Sequence, residues 1–191
     1  MDYKSDIVII GAGAVGVAIA REFAKYKKKV IVVDKRDDVG GDASKSNSSI
    51  ICSGFDCPPH TLESELCLAS RAMIDRVAKE LDIPFKVCGA IMPAVTQEQM
   101  DILPQIYRDA YENHVYDVEY ISADEILKIE PEVNPDVLGG LYIPRDAVID
   151  PFLFVVAEAE NAAVNGVEFL LDAVVTEINV RNGKVREVET S

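Results

Sequence analysis

A glycine-rich turn near the N-terminus constrains the fold of this chain more than any other feature. The turn runs from Gly11 to Gly16, with the sequence GAGAVG, and it follows an apolar run at residues 6–10. Apolar residues at helical spacing begin at Ala14, and a second apolar run spans residues 30–33. A strand, a helix and a second strand in this short space predict a βαβ unit.

The glycines of this turn have separate physical roles. Gly11 would make the tight turn, Gly13 would let the backbone approach a pyrophosphate, and Gly16 would let the helix pack closely on the strand. The N-terminus of the helix would offer N–H groups and partial positive charge to the phosphates. Asp34, at the end of the second strand, would accept hydrogen bonds from ribose hydroxyls. The pattern predicts a dinucleotide site; the alternative is a chance glycine turn in an unrelated α/β protein.

The same pattern predicts which side chains of the βαβ unit are buried. The continuous apolar character of residues 6–10 is typical of a parallel strand that is buried on both faces. The helix, predicted over residues 14–25, would bury Val15, Ile19, Ala20 and Phe23.

The loop after the second strand favours FAD over NAD. It carries a glycine pair followed by Ser, Lys and Asn residues, which suits a loop that closes over a pyrophosphate and a flavin. Ser44 and Lys45 are predicted near the phosphates, and Asn47 and Ser48 nearer the flavin; the alternative is a polar surface loop. The predicted cofactor-binding residues of this region are Gly11, Gly13, Ala14, Val15, Gly16, Asp34, Lys35, Gly41, Asp42, Ser44, Lys45, Asn47 and Ser48.

Charge and composition exclude several classes of function. The formal net charge of −14 argues against nucleic-acid binding. Residues 1–50 hold nine basic and seven acidic side chains, whereas residues 101–150 hold three and twelve, which we interpret as a solvated surface. No apolar run is long enough to span a membrane and no export signal is present, so a cytoplasmic location is expected. The four cysteines form no C-x-x-C pair, which predicts free thiols and no metal site.

The remainder of the chain alternates between helical and strand patterns. Helices are predicted at residues 62–81, 97–113, 122–129 and 151–165. Strands are predicted at residues 85–95 (one or two, broken near Gly89), 138–143, 167–171, 174–179 and 185–189. Pro104 would interrupt or kink its helix. Ser122 and Asp150 are predicted N-caps, and Asn182-Gly183 is a hairpin signal.

These motifs resemble the FAD-dependent oxidoreductases of the D-amino-acid-oxidase type. The resemblance is carried by the glycine turn, the acid at Asp34, the segment Gly-Gly-Asp-x-Ser-Lys-x-Asn-Ser at residues 40–48, and Ile149-Asp150-Pro151. Within that family the chain is most similar to the bacterial glycerol-3-phosphate dehydrogenases. The resemblance implies an α/β fold, in which a doubly wound, Rossmann-like FAD-binding domain is interrupted by part of an α+β substrate domain.

The resemblance also implies a division of the chain. Residues 1–57 would form the first part of the FAD-binding domain, residues 58–147 a substrate-domain segment, and residues 148–191 an incomplete return to the FAD-binding domain. The strand at Val174 and Val175 would meet the adenine end of FAD through its backbone. Family members run about twice this length, so the chain is expected to be an N-terminal portion whose C-terminal remainder would be its partner.

The activity that the resemblance implies is oxidation of a secondary alcohol by hydride transfer to FAD. The expected substrate is glycerol 3-phosphate, which would give dihydroxyacetone phosphate in glycerol metabolism. Two alternatives stay open: a 2-hydroxy acid or amino acid as substrate, and a non-catalytic fragment that binds a nucleotide or a partner. The electron acceptor is not indicated, and peripheral membrane association of the full enzyme is compatible with the pattern.

Three positions bear on the chemistry that the family would perform. Arg145 is a speculative ligand for a substrate phosphate or carboxylate, with a surface arginine as the alternative. Cys52 stands where many family members have a histidine, so no catalytic residue is predicted from this position. Lys27 stands where the family fingerprint usually has glycine, which would strain a left-handed helix end.

Overall fold

The computed structural model describes residues 3–191, which divide into two units. The first unit comprises the N-terminal part up to Ser48, together with Leu81–Ile83 and Asp150–Ser191, and the second comprises Ser49–Glu80 and Pro84–Ile149. The chain thus leaves the first unit after residue 48, passes through it briefly at residues 81–83 and returns to it at residue 150. The domain boundaries predicted at residues 57 and 147 stay a prediction.

Sixteen helices and strands follow one another along the described residues. In chain order they are β1 (Ile7–Ile10), α1 (Ala14–Phe23), β2 (Val30–Val33), β3 (Ile50–Ile51), α2 (Leu62–Glu80), β4 (Phe85–Val87), β5 (Ala90–Ala94), α3 (Gln97–Glu112), β6 (Glu119–Ser122), α4 (Ala123–Ile129), β7 (Gly139–Ile143), β8 (Ala147–Ile149), α5 (Pro151–Val164), β9 (Glu168–Leu170), β10 (Val175–Arg181) and β11 (Lys184–Thr190).

The first unit is built on a parallel sheet in the order β1-β2-β9. All four residues of β2 are buried, as expected for a strand with neighbours on both sides. In β1, by contrast, Ile9 is buried while Val8 and Ile10 are exposed. The prediction of a strand buried on both faces is therefore wrong for β1: the face with Ile9 packs in the core, whereas the face with Val8 and Ile10 is left exposed. In the sheet that the described residues form, β1 is also an edge strand. An apolar run does not distinguish an edge strand from a central one.

Helices α1 and α5 contribute to the apolar core of this unit. Val17 and Ala20 of α1 are fully buried and belong to the same core cluster as Val155 and Ala159 of α5. Phe23 packs against this cluster, as predicted.

The predicted burial of two other α1 residues is wrong. Val15 is 75% exposed and Ile19 is 41% exposed, because the buried face of α1 is centred on Val17 and Ala20. The strain expected at Lys27 does not arise, since its φ is not positive and the end of α1 at Ala24 is right-handed.

The ends of the helices follow the sequence signals closely. Ser122 and Glu125 form the predicted capping box of α4, and a second capping box, which the sequence analysis missed, joins Thr96 to Gln99 at the start of α3. Pro104 lies within α3 and does not interrupt it. None of the helices within residues 3–191 combines the length and apolar character needed to cross a membrane.

The remaining strands are antiparallel. The second unit holds two sheets, in the orders β3-β8-β4 and β5-β7-β6, and β10 pairs with β11 in the first unit. The break predicted near Gly89 separates β4 from β5. Asn182 and Gly183 both have positive φ at the turn between β10 and β11, as the hairpin signal predicts. A parallel βαβ sheet together with antiparallel sheets gives the predicted α/β class.

Candidate dinucleotide-binding site

A cleft of about 410 Å³ lies in the first unit, where the ends of β1 and β2 meet the start of α1. Nine of the predicted cofactor-binding residues line it: Gly11, Gly13, Asp34, Lys35, Gly41, Asp42, Ser44, Val174 and Val175. Four lining residues were not predicted: Ile10, Val33, Arg36 and Ala173. The predicted residues that do not line it are Ala14, Val15, Gly16, Lys45, Asn47 and Ser48.

The three glycines of the turn are required for different reasons. Gly11 has a φ of +104°, which L side chains rarely adopt. A Cβ on Gly16 would lie 1.9 Å from the carbonyl oxygen of Gly11, so the helix can approach the turn only without a side chain there. A Cβ on Gly13 would lie 3.0 Å from Oγ of Ser44, at the wall of the cleft. The absence of a side chain at Gly16 thus allows the helix to pack against the turn, whereas its absence at Gly13 leaves space in the cleft.

Asp34 fixes the floor of the cleft through both carboxylate oxygens. Its Oδ2 accepts a hydrogen bond from the backbone N–H of Ala12 at 2.6 Å, and its Oδ1 accepts one from the N–H of Arg36 at 2.8 Å. The Asp34 carbonyl also accepts a hydrogen bond from the N–H of Ala173, at 2.9 Å. Since a carboxylate has about four acceptor positions, Asp34 keeps capacity for ribose hydroxyls while it holds the glycine turn in place.

Helix α1 begins beside the cleft, which its N-cap residue Gly13 lines. Gly13 is the N-cap and has no side chain to cap the helix; instead Oγ of Ser44 accepts the hydrogen bond of the Ala14 N–H, at 2.9 Å. A helix N-terminus carries partial positive charge and unsatisfied donors, which suit an anion. Ser44 therefore places a hydroxyl beside the position where a phosphate would meet the helix.

The loop of residues 35–48 is folded by its own contacts. The N–H of Gly40 donates to the carbonyl of Ala12 at 2.9 Å, which fastens the loop to the glycine turn. Nζ of Lys45 lies 2.7 Å from Oδ2 of Asp38, and this contact holds the pKa of the Asp38 carboxyl below its ordinary value. The amide of Asn47 donates to the carbonyls of Ala43 and Ser44. Lys45 and Asn47 therefore shape the loop in this structure.

One contact at the rim of the cleft was not predicted from the sequence. A terminal nitrogen of Arg36, Nη2, lies 2.6 Å from Oδ1 of Asp42, and the two residues both line the cleft. Asp42 was predicted as a cofactor ligand and Arg36 was not. The spacing of six residues across a loop carries no periodic signal, although two opposite charges flanking a glycine pair would have been a reason to suspect an ion pair.

Arg145 and Cys52, which bear on the substrate, lie in the second unit. Nε of Arg145 lies 2.8 Å and 2.9 Å from the two carboxylate oxygens of Asp117, and the side chain is 40% exposed, which favours the alternative of a surface arginine. Sγ of Cys52 accepts from the N–H of Gly54 and lies 3.4 Å from Oδ1 of Asp56. Burial raises the pKa of the Cys52 thiol to about 12, so it is protonated at neutral pH and unsuited to act as a base.

The chemistry of the cleft matches the adenosine and pyrophosphate parts of a dinucleotide. It combines a backbone approach without a Cβ at Gly13, a helix N-terminus for anions, and the Asp34 carboxylate for hydroxyls. Residues 173–175 form another wall. The lining residues therefore fit the adenine-dinucleotide end of FAD.

Comparison with known proteins agrees with this description. The profile of the family "FAD dependent oxidoreductase" (DAO) matches residues 6–191. The chain is 36% identical to a glycerol 3-phosphate dehydrogenase of Caloramator mitchellensis over 93% of this chain and 37% of that protein. It is 32% identical to a glycerol 3-phosphate oxidase of Mycoplasma pneumoniae over 91% of this chain and 46% of that protein. A mitochondrial L-2-hydroxyglutarate dehydrogenase of Arabidopsis thaliana is 26% identical over 83% of this chain and 32% of that protein.

Solved structures resemble the chain over nearly its whole length. The dithionite-reduced L-alpha-glycerophosphate oxidase of Mycoplasma pneumoniae with FAD bound gives a TM-score of 0.92 at 27% identity, covering 99% of this chain and 50% of that one. Glycine oxidase of Bacillus cereus gives 0.87 at 26% identity, covering 98% and 53%. The chain thus spans about half the length, or less, of the relatives it matches.

Proposed function

Because the chain belongs to the FAD dependent oxidoreductase family, we propose that its cleft binds the adenosine diphosphate part of FAD. The observation that carries this proposal is the convergence of Gly13, the start of α1 and the Asp34 carboxylate on one cleft. In this arrangement the α1 N-terminus and the Ser44 hydroxyl bind the pyrophosphate. Asp34 binds the ribose, and the backbone of Val174 and Val175 contacts the adenine.

FAD, when bound, supplies the redox chemistry by accepting a hydride from the substrate carbon. The described residues bind and orient the cofactor, and no catalytic acid or base is assigned among them. Asp34 also excludes a 2′-phosphate, since its negative charge would lie against it.

For the complete enzyme we propose oxidation of glycerol 3-phosphate to dihydroxyacetone phosphate. This rests on the names of two relatives that match more than 90% of this chain at 36% and 32% identity, a glycerol 3-phosphate dehydrogenase and a glycerol 3-phosphate oxidase. Two L-2-hydroxyglutarate dehydrogenases reach 31% and 33% identity over about three quarters of the chain. A glycerophosphate oxidase with FAD bound also has the fold of this chain over 99% of its length. Arg145 is a candidate ligand of the substrate phosphate, and its pairing with Asp117 weighs against this role.

A second candidate keeps the cofactor and changes the substrate to a 2-hydroxy acid or an amino acid. It is favoured by the likeness to an L-2-hydroxyglutarate dehydrogenase and to a glycine oxidase. A third candidate is a non-catalytic fragment that binds a nucleotide or a partner.

Two experiments separate these candidates. Titration of the purified chain with FAD, followed by flavin fluorescence, tests the cofactor site, and we expect saturable binding that Asp34→Ala weakens at least tenfold. Asp37→Ala, which changes an exposed acid outside the cleft, is the matched control. Absence of binding by the unmodified chain would refute the cofactor proposal and leave the partner-binding fragment.

The substrate is tested on the protein encoded by the complete reading frame. Steady-state assays with glycerol 3-phosphate, 2-hydroxyglutarate and glycine should show reduction of an artificial electron acceptor with glycerol 3-phosphate alone. Activity confined to either of the other two would replace the first candidate with the second.

A further inference from the structure

The cleft presents no net charge to an anionic ligand. Its charged lining residues are two acids, Asp34 and Asp42, and two bases, Lys35 and Arg36. A pyrophosphate carries two negative charges, and a cleft attracts such an anion more strongly when its lining has an excess of positive charge. The cleft therefore contains two carboxylates whose presence needs an explanation. Asp34 is explained by its hydrogen bonds to the glycine turn, and Asp42 is not.

Asp42 is engaged with the tip of the Arg36 side chain. The guanidinium Nη2 and the carboxylate Oδ1 are 2.6 Å apart, and both side chains are at least half exposed. The backbone of Arg36 is fixed independently of this contact, because its N–H donates to Asp34 and its carbonyl accepts from the N–H of Asp172. The guanidinium can therefore change partner while the main chain of Arg36 stays in place.

The stem of Arg36 lies against the glycine pair of the loop. A Cβ on Gly41 would lie 2.9 Å from Cγ of Arg36, so the glycine provides the space in which the arginine stem runs. This path ends with the guanidinium on Asp42, which lines the same cleft as Asp34 and Ser44. The charge of Arg36 thus lies in the cleft that Gly13 and Ser44 also line.

We propose that the Asp42 carboxylate occupies the position of a nucleotide phosphate on Arg36, and that Arg36 exchanges Asp42 for a phosphate oxygen when the dinucleotide binds. This inference rests on the proposed function. Carboxylate and phosphate oxygens are equivalent partners for a guanidinium, which binds both with charge-assisted hydrogen bonds. An exposed ion pair contributes little to stability, so its exchange costs little. Arg36 is then a phosphate-binding residue, and Asp42 is an internal competitor that lowers the affinity for the cofactor.

Of the two other basic residues in this loop, one lies outside the cleft and the other provides a control. Lys45 does not line the cleft, and its side chain is 14% exposed and paired with Asp38. Lys35 lines the cleft and changes its charge by the same amount as Arg36 when substituted. It therefore provides the matched control for an effect of charge alone.

The test is a double-mutant cycle on nucleotide affinity. Isothermal titration of the chain with ADP and with adenosine is compared for Arg36→Gln, Asp42→Asn and the double variant. Arg36→Gln should weaken the binding of ADP about fivefold to tenfold, which is the loss expected when one charge-assisted hydrogen bond is removed. Its effect on adenosine, which lacks phosphates, should stay below about twofold, since no charged contact is lost. Asp42→Asn should tighten ADP about threefold, because the competing carboxylate is removed.

The coupling between the Arg36 and Asp42 substitutions distinguishes a partner exchange on Arg36 from an effect of the net charge of the cleft. When Arg36 is already Gln, Asp42→Asn should tighten ADP binding by much less than threefold. When Lys35 is Gln instead, Asp42→Asn should still tighten ADP binding about threefold. Equal effects of Asp42→Asn in both backgrounds would overturn the exchange, and so would a weakening of adenosine by Arg36→Gln as large as that of ADP. Failure of the unmodified chain to bind FAD or ADP overturns the proposed function and this inference with it. Nucleotide binding with uncoupled variants overturns this inference alone.

Discussion

Replacing Gly16 by alanine tests the geometry of the glycine turn directly. In the structure a Cβ at this position would lie 1.9 Å from the Gly11 carbonyl oxygen, and ordinary contact begins near 3.4 Å. The helix or the turn would therefore have to move by about 1.5 Å, which is the difference between these two distances. Because both groups are backbone, no side-chain rotation can relieve the overlap.

The expected magnitude follows from two opposing effects. Alanine stabilises a helix interior by about 1 kcal/mol relative to glycine, so the substitution would be favourable if there were space. Overpacking of a rigid site costs about 3 kcal/mol at the upper end of its usual range. The net expectation for Gly16→Ala is a loss of about 2 kcal/mol in the free energy of unfolding, or about a thirtyfold change in the folding equilibrium.

The assay is urea denaturation followed by far-ultraviolet circular dichroism. A loss of about 2 kcal/mol lowers the midpoint by about 1 M when the slope is about 2 kcal/mol/M. Gly13→Ala is the matched variant, because its Cβ would meet only the hydroxyl of Ser44, at 3.0 Å. It should keep the midpoint within about 0.5 M and weaken FAD binding instead. A Gly16→Ala variant as stable as the unmodified chain would refute the assignment of Gly16 to packing.

Three further predictions use the same structure. Asp150→Ala removes the N-cap of α5, whose Oδ1 accepts from two backbone N–H groups at 2.9 Å, and should cost about 1 kcal/mol of stability by denaturation, with Asp150→Asn nearly neutral. Lys45 holds the pKa of Asp38 below its ordinary value of 3.8, so the pair stabilises the fold above that pH and the gain is lost as the pH falls through the folded-state pKa. Lys45→Met should therefore flatten the acid limb of the stability profile, and an unchanged limb would contradict the pairing. Burial raises the pKa of Cys57 to about 12, whereas Cys88 is exposed, so iodoacetamide at pH 8 should label Cys88 in the folded chain and Cys57 only after unfolding, as read by peptide mass spectrometry.

Local signals in the sequence were sufficient for the βαβ unit and for the helix ends. The glycine turn, the acid at Asp34 and the N-caps at Ser122 and Asp150 all depend on residues that are close in sequence, and the structure places them as predicted. The short strands β3, β6 and β8 were not predicted. Ile50 and Ile51 of β3 pair with β8, almost one hundred residues later, and a two-residue strand carries no periodicity of its own.

For the candidate site, the sequence predicted most of the residues involved but not which partner each side chain contacts. The residues of the turn and of the loop were identified, but the roles of Lys45 and Asn47 within the loop depend on which partner each side chain reaches. The pairing of Arg36 with Asp42 depends on the path of the arginine stem over Gly41, which only the folded loop defines. The exposure of Val15 shows the same limit, because helical spacing gives a face but not its exact centre.

The position of β1 at the edge of its sheet has a consequence for handling the protein. Among the described residues β1 pairs with β2 alone, so its outer side carries unpaired backbone groups next to the exposed side chains of Val8 and Ile10. Such an edge is a template for strands of other molecules. At high concentration the chain should therefore aggregate through β1, and Val8→Lys should suppress the light scattering that reports this assembly.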